Sequence, residues 1–391
     1  MTSCQWDQLS TFLYAHKSKN WFKLSQPKQA YLHCAKKRLN LGTMQWETVG
    51  IEKLQEKLAK EKISTKKDYS IYHLFYEYTD WLMQGKINED QYLVMEIHYQ
   101  NKSNVTLNEP AVFDYSFQLK EQENYQSYEN KLKKIFHEIR DGQYYQINFT
   151  CRWRYQIEGN VFSMIDTVMH QRDLLGAYAH FTNVPQLHKI FFSNSPECLF
   201  LVKNKCLNTY PIKGTTSLDG GLVNAKRKLS SSIKDQAELD MITDLMRNDL
   251  NKITPPDADI RQRAKWIKVP GLLHQASWIS KPIDQMMSLG KIINSLFPGG
   301  SITGAPKIAA SRKIKELEKS SRGFYCGSTI FHSPKHCSSS INIRSVTIET
   351  KTKTMELGAG GGITLLSQIR DEWDEMNKKK DSLLSLWENS K

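Results

Sequence analysis

Hydrophobic residues recur with two clear periods over the last two thirds of the chain. Leu132, Ile135, Phe136 and Ile139 fall at helical spacing, and Asp141 with Gly142 supplies a stop. Residues 145–154 then alternate strictly. Ile147, Phe149, Cys151 and Trp153 share one face, and Gln146, Asn148, Thr150 and Arg152 the other, which is the period of a strand. Further strands are expected at 189–192, 198–202, 324–331, 341–349 and 353–358, and helices at 234–248, 306–318 and 370–387. The first 115 or so residues, rich in Lys, Gln and Tyr, give only weak periods, and a break falls near residues 108–110. No internal repeat or low-complexity segment is present. Strands come in clusters without regular β-α-β alternation, so the pattern predicts an α+β fold with largely antiparallel sheets flanked by helices. A variable N-terminal region, 1–118, is expected to pack on the same fold as the main domain, 119–391.

Two of these helices carry charge where the pattern asks for apolar residues. On 234–248 the apolar face is Met241, Ile242 and Leu245, and Glu238 lies within it. On 370–387 the stripe is Met376, Leu383 and Trp387, shared or bordered by Glu372, Glu375 and Lys379. A carboxylate turned toward a core is costly unless it is paired or coordinates a metal. Three such carboxylates on two helices could converge, and hard oxygen ligands suit Mg²⁺. A boundary ion pair between Glu375 and Lys379, at i,i+4, accounts for part of the pattern equally well.

Composition narrows the class without choosing within it. The chain has 391 residues, 39% of them hydrophobic and 10% aromatic, which is ample for a core and too apolar for disorder. Its formal charge of +13 is spread along the chain, with short clusters only near residues 36–38, 226–228 and 378–380. That distribution argues for a solubilising composition that also attracts an anionic small molecule, and against nucleic acid. Seven cysteines with no Cys-x-x-Cys pair argue against a disulfide framework and a zinc site. The first 24 residues are polar and interrupted, so no signal peptide is expected, and no run approaches the ~18–20 apolar residues of a membrane helix. A cytoplasmic enzyme fits these features.

Residues 297–307 read Phe-Pro-Gly-Gly-Ser-Ile-Thr-Gly-Ala-Pro-Lys. Three glycines and two prolines make a tight turn, and Pro306 can open the following helix. A helix N-terminus reached through such a turn suits an anion, although an ordinary loop-to-helix junction would look the same. The wording of the segment closely resembles the signature of the chorismate-utilising enzymes, which include the anthranilate, aminodeoxychorismate, isochorismate and salicylate synthases. Other segments resemble the family in order and spacing from about residue 142 to 379. Residues 237–242 and 247–250 look like its Ala-Glu-x-x-Met-Ile and Arg-Asn-Asp-Leu helix. Ser367 through Glu372, Glu375 and Lys379 resemble its C-terminal helix, although Leu366 and Ile369 replace the usual Asp and Pro. The resemblance implies Mg²⁺ ligation by Glu238, Glu372 and Glu375, and a Lys379 contact to a substrate carboxylate. It also implies that Gly360, Gly361 and Gly362 offer amides to a carboxylate, a use of main-chain dipoles. Tyr325 and Arg344 match residues that hold the enolpyruvyl carboxylate, and His274 one beside the substrate ring. Taken alone, a glycine run serves close packing and a strand arginine lies at the surface.

One segment bears on the branch of the family. Residues 211–215 read Pro-Ile-Lys-Gly-Thr, where anthranilate, isochorismate and salicylate synthases carry Ala and aminodeoxychorismate synthases carry Lys. Gln146 stands where the water-adding members place a general-base Lys. The resemblance therefore implies amination of chorismate at C4 to 4-amino-4-deoxychorismate, the step before 4-aminobenzoate in folate biosynthesis. Lys213 would be the covalent nucleophile and Glu197 the general acid, with Gly214, Thr215 and Gln146 lining the substrate. A free lysine has a pKa near ~10.4, so its nearby positive charges and burial are expected to lower it. No Gly-x-Cys-x-Gly turn surrounds a cysteine, so ammonia is expected from a separate glutamine amidotransferase subunit or from solution. The Leu-Leu-Glu-Ser segment of tryptophan-regulated relatives is missing. Anthranilate synthase component I and a non-catalytic chorismate-binding relative stand as the alternatives.

Overall fold

A computed structural model describes residues 7–65, 68–85, 87–107, 114–218, 220–253, 255–269, 272–284, 286–318 and 320–388. Among them every strand pairing is antiparallel, and the fold is α+β. The strands form one continuous hydrogen-bonded ladder. From one edge it runs through Tyr115–Gln122, Gln146–Gly159, Thr354–Ile363, Ser345–Glu349, Lys189–Ser195 and Tyr178–Val184. It continues through Ser10–Ala15, Asn20–His33, Val94–Asn104 and Tyr69–Leu74. Ser328–Ser333, His336–Ile341, Cys198–Lys203, Cys206–Thr209, Leu272–Pro282 and Asp259–Val269 complete it. Strands from the first 104 residues thus occupy the middle of the ladder, hydrogen-bonded on both sides to strands from beyond residue 118. The break expected near 108–110 lies outside the described residues.

Apolar faces of helices and strands meet in one large core that includes Trp21, Phe149, Trp153, Phe192 and Trp387. A second cluster around Leu32, Ile71, Ile97 and Phe191 lies under the N-terminal strands. The helical period at 132–139 is the inner face of Tyr125–Arg140, capped by the Asn124 side chain accepting from Ser127 N–H. The alternating segment is the strand Gln146–Gly159, in which Gln146 through Cys151 are all buried. Its polar face is therefore covered: Gln146 reaches the site described below, and Thr150 donates to Glu318.

Several boundaries differ from the pattern. The segment 324–331 is a strand only from Ser328, because Gly323 and Cys326 take positive φ and break the extended run. The segment 341–349 splits into the end of one strand and Ser345–Glu349, with Arg344 at φ 52° in the gap. The strand at 353–358 extends to Ile363, so the glycine run is part of the ladder. The helix at 234–248 spans Ile233–Asn251, and its buried stripe is Leu239, Ile242, Met246 and Leu250, with Met241 and Leu245 at its margin. The helix at 306–318 is Lys307–Leu317. Pro306 stands just outside it, and Ile308 is exposed while Ala310, Ile314 and Leu317 are buried.

Candidate active site

Three elements deliver the charged residues to one place. Lys213 lies on the strand Ile212–Ser217, Glu238 on the helix Ile233–Asn251, and Glu372, Glu375 and Lys379 on the helix Ile369–Glu388. The strand Thr354–Ile363 forms the floor. A Cβ added to Gly362 would sit 2.4 Å from Gln146 Nε2 and 3.0 Å from Lys213 Nζ. One added to Gly361 would sit 3.0 Å from Glu372 Oε2 and 3.8 Å from Lys379 Nζ. Only residues without a side chain leave room for these four groups. The ladder partner Ser345–Glu349 ends at Val346, opposite Leu357, so the strand is open on that edge beyond it. The Gly360 carbonyl accepts from Lys379 Nζ at 2.9 Å along this edge, and strand geometry turns the Gly360 and Gly362 amides the same way.

Ion pairs knit the cluster together. Lys213 Nζ donates to Glu238 Oε2 at 3.1 Å, and Lys379 Nζ lies 2.8 Å from Glu375 Oε1. Lys379 and the neighbouring lysines hold the Glu375 carboxyl down at about 2, against the opposing effect of burial. Lys213 departs from expectation. Burial pulls its pKa down, but Glu238, with Glu197 and Glu375, outweighs this and holds it above the usual lysine value. In this arrangement it is an ammonium ion. Glu197 is the opposite case: burial raises its carboxyl to about 7, opposed by the Ser301 hydroxyl and the Lys213 charge. A buried acid poised near neutrality can donate a proton.

The carboxylates expected to bind Mg²⁺ are divided among three lysines, Lys213, Lys234 and Lys379. Lys234 Nζ lies 2.5 Å from Glu372 and 3.8 Å from Glu238, while Glu375 turns to Lys379. Among the described residues no three His, Cys, Asp or Glu side chains are gathered closely enough to hold a metal ion. Glu238 and Glu372 nevertheless converge on a single point, and the buried Oε1 of Glu238 has no hydrogen-bond partner. Two hard oxygen donors facing one cationic position fit a divalent cation. Lys234 was absent from the sequence-derived site. Its i,i+4 relation to Glu238 was the available signal.

The substrate-facing candidates form a second group. Thr215 Oγ1 and His274 Nδ1 are hydrogen-bonded at 2.8 Å, leaving the buried His274 Nε2 unpartnered. Burial and then Arg344 lower His274 to about 4, so its ring is neutral at physiological pH. Arg344 itself is pulled down by burial alone, and no carboxylate pairs with it among the described residues. Buried Gln146 Nε2 is likewise without an acceptor. Tyr325 lies over Gly358, at the outer end of the glycine run. Gly214, at φ 75°, turns its α-carbon toward Leu229 and Asp235, where the strand bulges between Lys213 and Thr215. A cleft farther along the strands is lined by Arg152, Arg154, Glu121 and Glu356, but those charges are already paired with each other.

The 297–307 signature makes a packed junction. Lys307 is buried and donates to the Leu296 and Pro298 carbonyls at 3.3 and 2.7 Å, and pairs with Asp249. A Cβ on Gly304 would lie 2.2 Å from the Gln146 carbonyl, and one on Gly300 2.6 Å from Leu245. The segment therefore locks the end of the Glu238 helix and the start of the Gln146 strand together.

Known proteins share this arrangement of sequence. The chain is 32% identical over 278 residues to aminodeoxychorismate synthase component 1 of Salmonella typhimurium, covering 67% of this chain and 58% of that protein. It is 31% identical over 272 residues to the Escherichia coli protein of the same name, covering 66% and 57%. The match thus spans little more than half the length of either relative. Anthranilate synthase component I from Streptococcus pneumoniae superposes with a TM-score of 0.75 at 20% identity, covering 93% of this chain and 91% of that one, which establishes the fold. The sequence profile of the chorismate binding enzymes matches residues 5–385, nearly the whole chain, and the chain belongs to that family.

Proposed function

We propose that this protein aminates chorismate at C4 with ammonia, giving 4-amino-4-deoxychorismate, with Lys213 as a covalent nucleophile. The observation that carries the reading is a lysine with only 14% side-chain exposure at the branch position, beside Gln146 and Gly362 and within electrostatic reach of Glu197. Arg344, with no carboxylate partner among the described residues, and the Gly360 and Gly362 amides on the open strand edge are suited to the two carboxylates of chorismate. Neutral His274 can pack beside the ring without adding charge. Lys213 must lose its proton before it can attack, and Glu238 is what holds that proton. Glu238 and Glu372 would hold a divalent cation such as Mg²⁺, which would supply positive charge for a substrate carboxylate.

The Lys213 amine then forms a bond to C2 as both ring double bonds shift by one position and the C4–O bond breaks. Glu197 gives its proton to the departing oxygen, so water leaves. Ammonia adds at C4 and passes one proton back to Glu197, the double bonds shift back, and the Lys213–C2 bond breaks to regenerate the amine. The sum is chorismate plus ammonia giving aminodeoxychorismate plus water. The names of the relatives, each a component 1, support a separate amidotransferase subunit as the ammonia source.

The test is denaturing mass spectrometry of the protein quenched with chorismate and Mg²⁺ but no ammonia. An adduct confined to the Lys213 peptide, lost in Lys213→Ala, is expected, with a 4-amino product once ammonium is added. If Lys213→Ala makes that product at the wild-type rate, the lysine is not the nucleophile. Anthranilate as the product would assign the protein to the sister reaction.

A further inference from the structure

Lys234 belongs to none of the roles above, yet it stands at the centre of the carboxylate cluster. Its ammonium touches Glu372 at 2.5 Å but lies 3.8 Å from Glu238, beyond hydrogen-bond range. Lys234 is thus hydrogen-bonded to Glu372 and acts on Glu238 through charge alone, while the other oxygen of Glu238 accepts from Lys213. The two carboxylates are fixed by burial, at 2% and 9% side-chain exposure, whereas Lys234 is 29% exposed. It starts from the first turn of the helix Ile233–Asn251, where a positive charge opposes the helix dipole. The carboxylates therefore hold the ammonium there, and its long stem can carry it back to solvent.

We propose that Lys234 is an internal counter-ion that occupies the divalent-cation position between Glu238 and Glu372 and has to swing out before a cation enters. The inference rests on the assignment of those two carboxylates as cation ligands. Lys234 keeps buried Glu372 compensated while no cation is bound, and shares the compensation of Glu238 with Lys213; without it Glu372 would be an unpaired buried charge, which is strongly disfavoured. The same contact weakens cation binding, because each entry has to expel an ammonium from Glu372. Cation binding and substrate binding then reinforce each other: a substrate carboxylate adds a ligand for the cation and none for the displaced lysine.

The experiment is Mg²⁺ titration calorimetry on the full-length protein without chorismate, paired with thermal unfolding across the same Mg²⁺ range. Lys234→Gln should bind Mg²⁺ roughly tenfold or more tightly than wild type, since it removes the competing charge. Its Tm should be lower without Mg²⁺ and recover further than that of wild type as Mg²⁺ is added. Lys234→Arg keeps the charge and should bind no more tightly than wild type. Equal Mg²⁺ affinity in wild type and Lys234→Gln, or an equal Mg²⁺-induced rise in Tm, overturns the competition and leaves the cation site standing. Failure of Mg²⁺ to bind either protein, with chorismate present as well as without it, overturns the cation site and this inference together.

Discussion

Glu197 shows how far one buried carboxyl shapes behaviour. Its pKa rises from the ordinary 4.5 to about 7, so the folded protein binds a proton that the unfolded chain releases between those values. Stability should therefore fall as pH climbs through that window and stay reduced above it. Glu197→Gln cannot ionise. Its unfolding free energy at pH 8 should exceed that of wild type by on the order of 1–3 kcal/mol, the gap closing toward pH 4.5. Thermal melts across pH would show it. The same variant should keep chorismate affinity and lose about 10²–10⁴-fold in kcat, since it removes the transferable proton. Glu197 and Lys213 were legible as residues because their neighbours spell a recognisable motif. The raised carboxyl of Glu197 follows from the burial its role requires, but the ionisation of Lys213 was not legible, because it depends on a long-range partner. Lys213 was expected to be depressed, yet Glu238, 25 residues away in sequence, holds its proton. The pairing of Lys234 with Glu372 spans 138 residues and leaves no local trace.

At the scale of elements, the glycine strand makes two opposite predictions. A methyl on Gly360 would meet the Phe149 carbonyl at 2.2 Å, a backbone atom that cannot move without the strand. Gly360→Ala should lower stability by about 1–3 kcal/mol or more. A methyl on Gly362 meets the Gln146 and Lys213 side-chain ends, which can yield. Gly362→Ala should melt near the wild-type temperature while losing most turnover, and paired melting and rate measurements distinguish the two. The Lys307 lock gives a third prediction. Lys307→Met removes the donor to one Asp249 oxygen and to two carbonyls, while Lys252 still pairs with the other Asp249 oxygen, and should cost about 1–3 kcal/mol, read by denaturant unfolding. Long periodic elements were readable in the sequence to within a few residues. Breaks such as Arg344 at φ 52° were not, since nothing in the residue type announces a left-handed arginine.

At the scale of the whole molecule, the first third of the chain is a structural link between halves of the ladder. Its weak periodicity concealed this, because Val94 through Tyr99 are buried at every position and show no alternation. Deleting residues 1–107 would expose Tyr178–Val184 and Ser328–Ser333, which pair with Ser10–Ala15 and Tyr69–Leu74. A chain of residues 115–391 should lack a cooperative thermal transition. Adding the 7–107 segment in trans should restore one if the lost pairings are the cause.

The position of that link also sets a waiting time during synthesis. His73 and Thr329, hydrogen-bonded at 2.8 Å in the finished protein, are 256 residues apart. At bacterial and eukaryotic translation speeds, the strand Tyr69–Leu74 leaves the ribosome roughly 10–50 s before its partner exists. Throughout that interval its edge is a template for any other extended chain nearby. The demand for a holding chaperone is thus written into the strand order, and it should ease when translation is faster, measurable as the soluble fraction at different elongation rates.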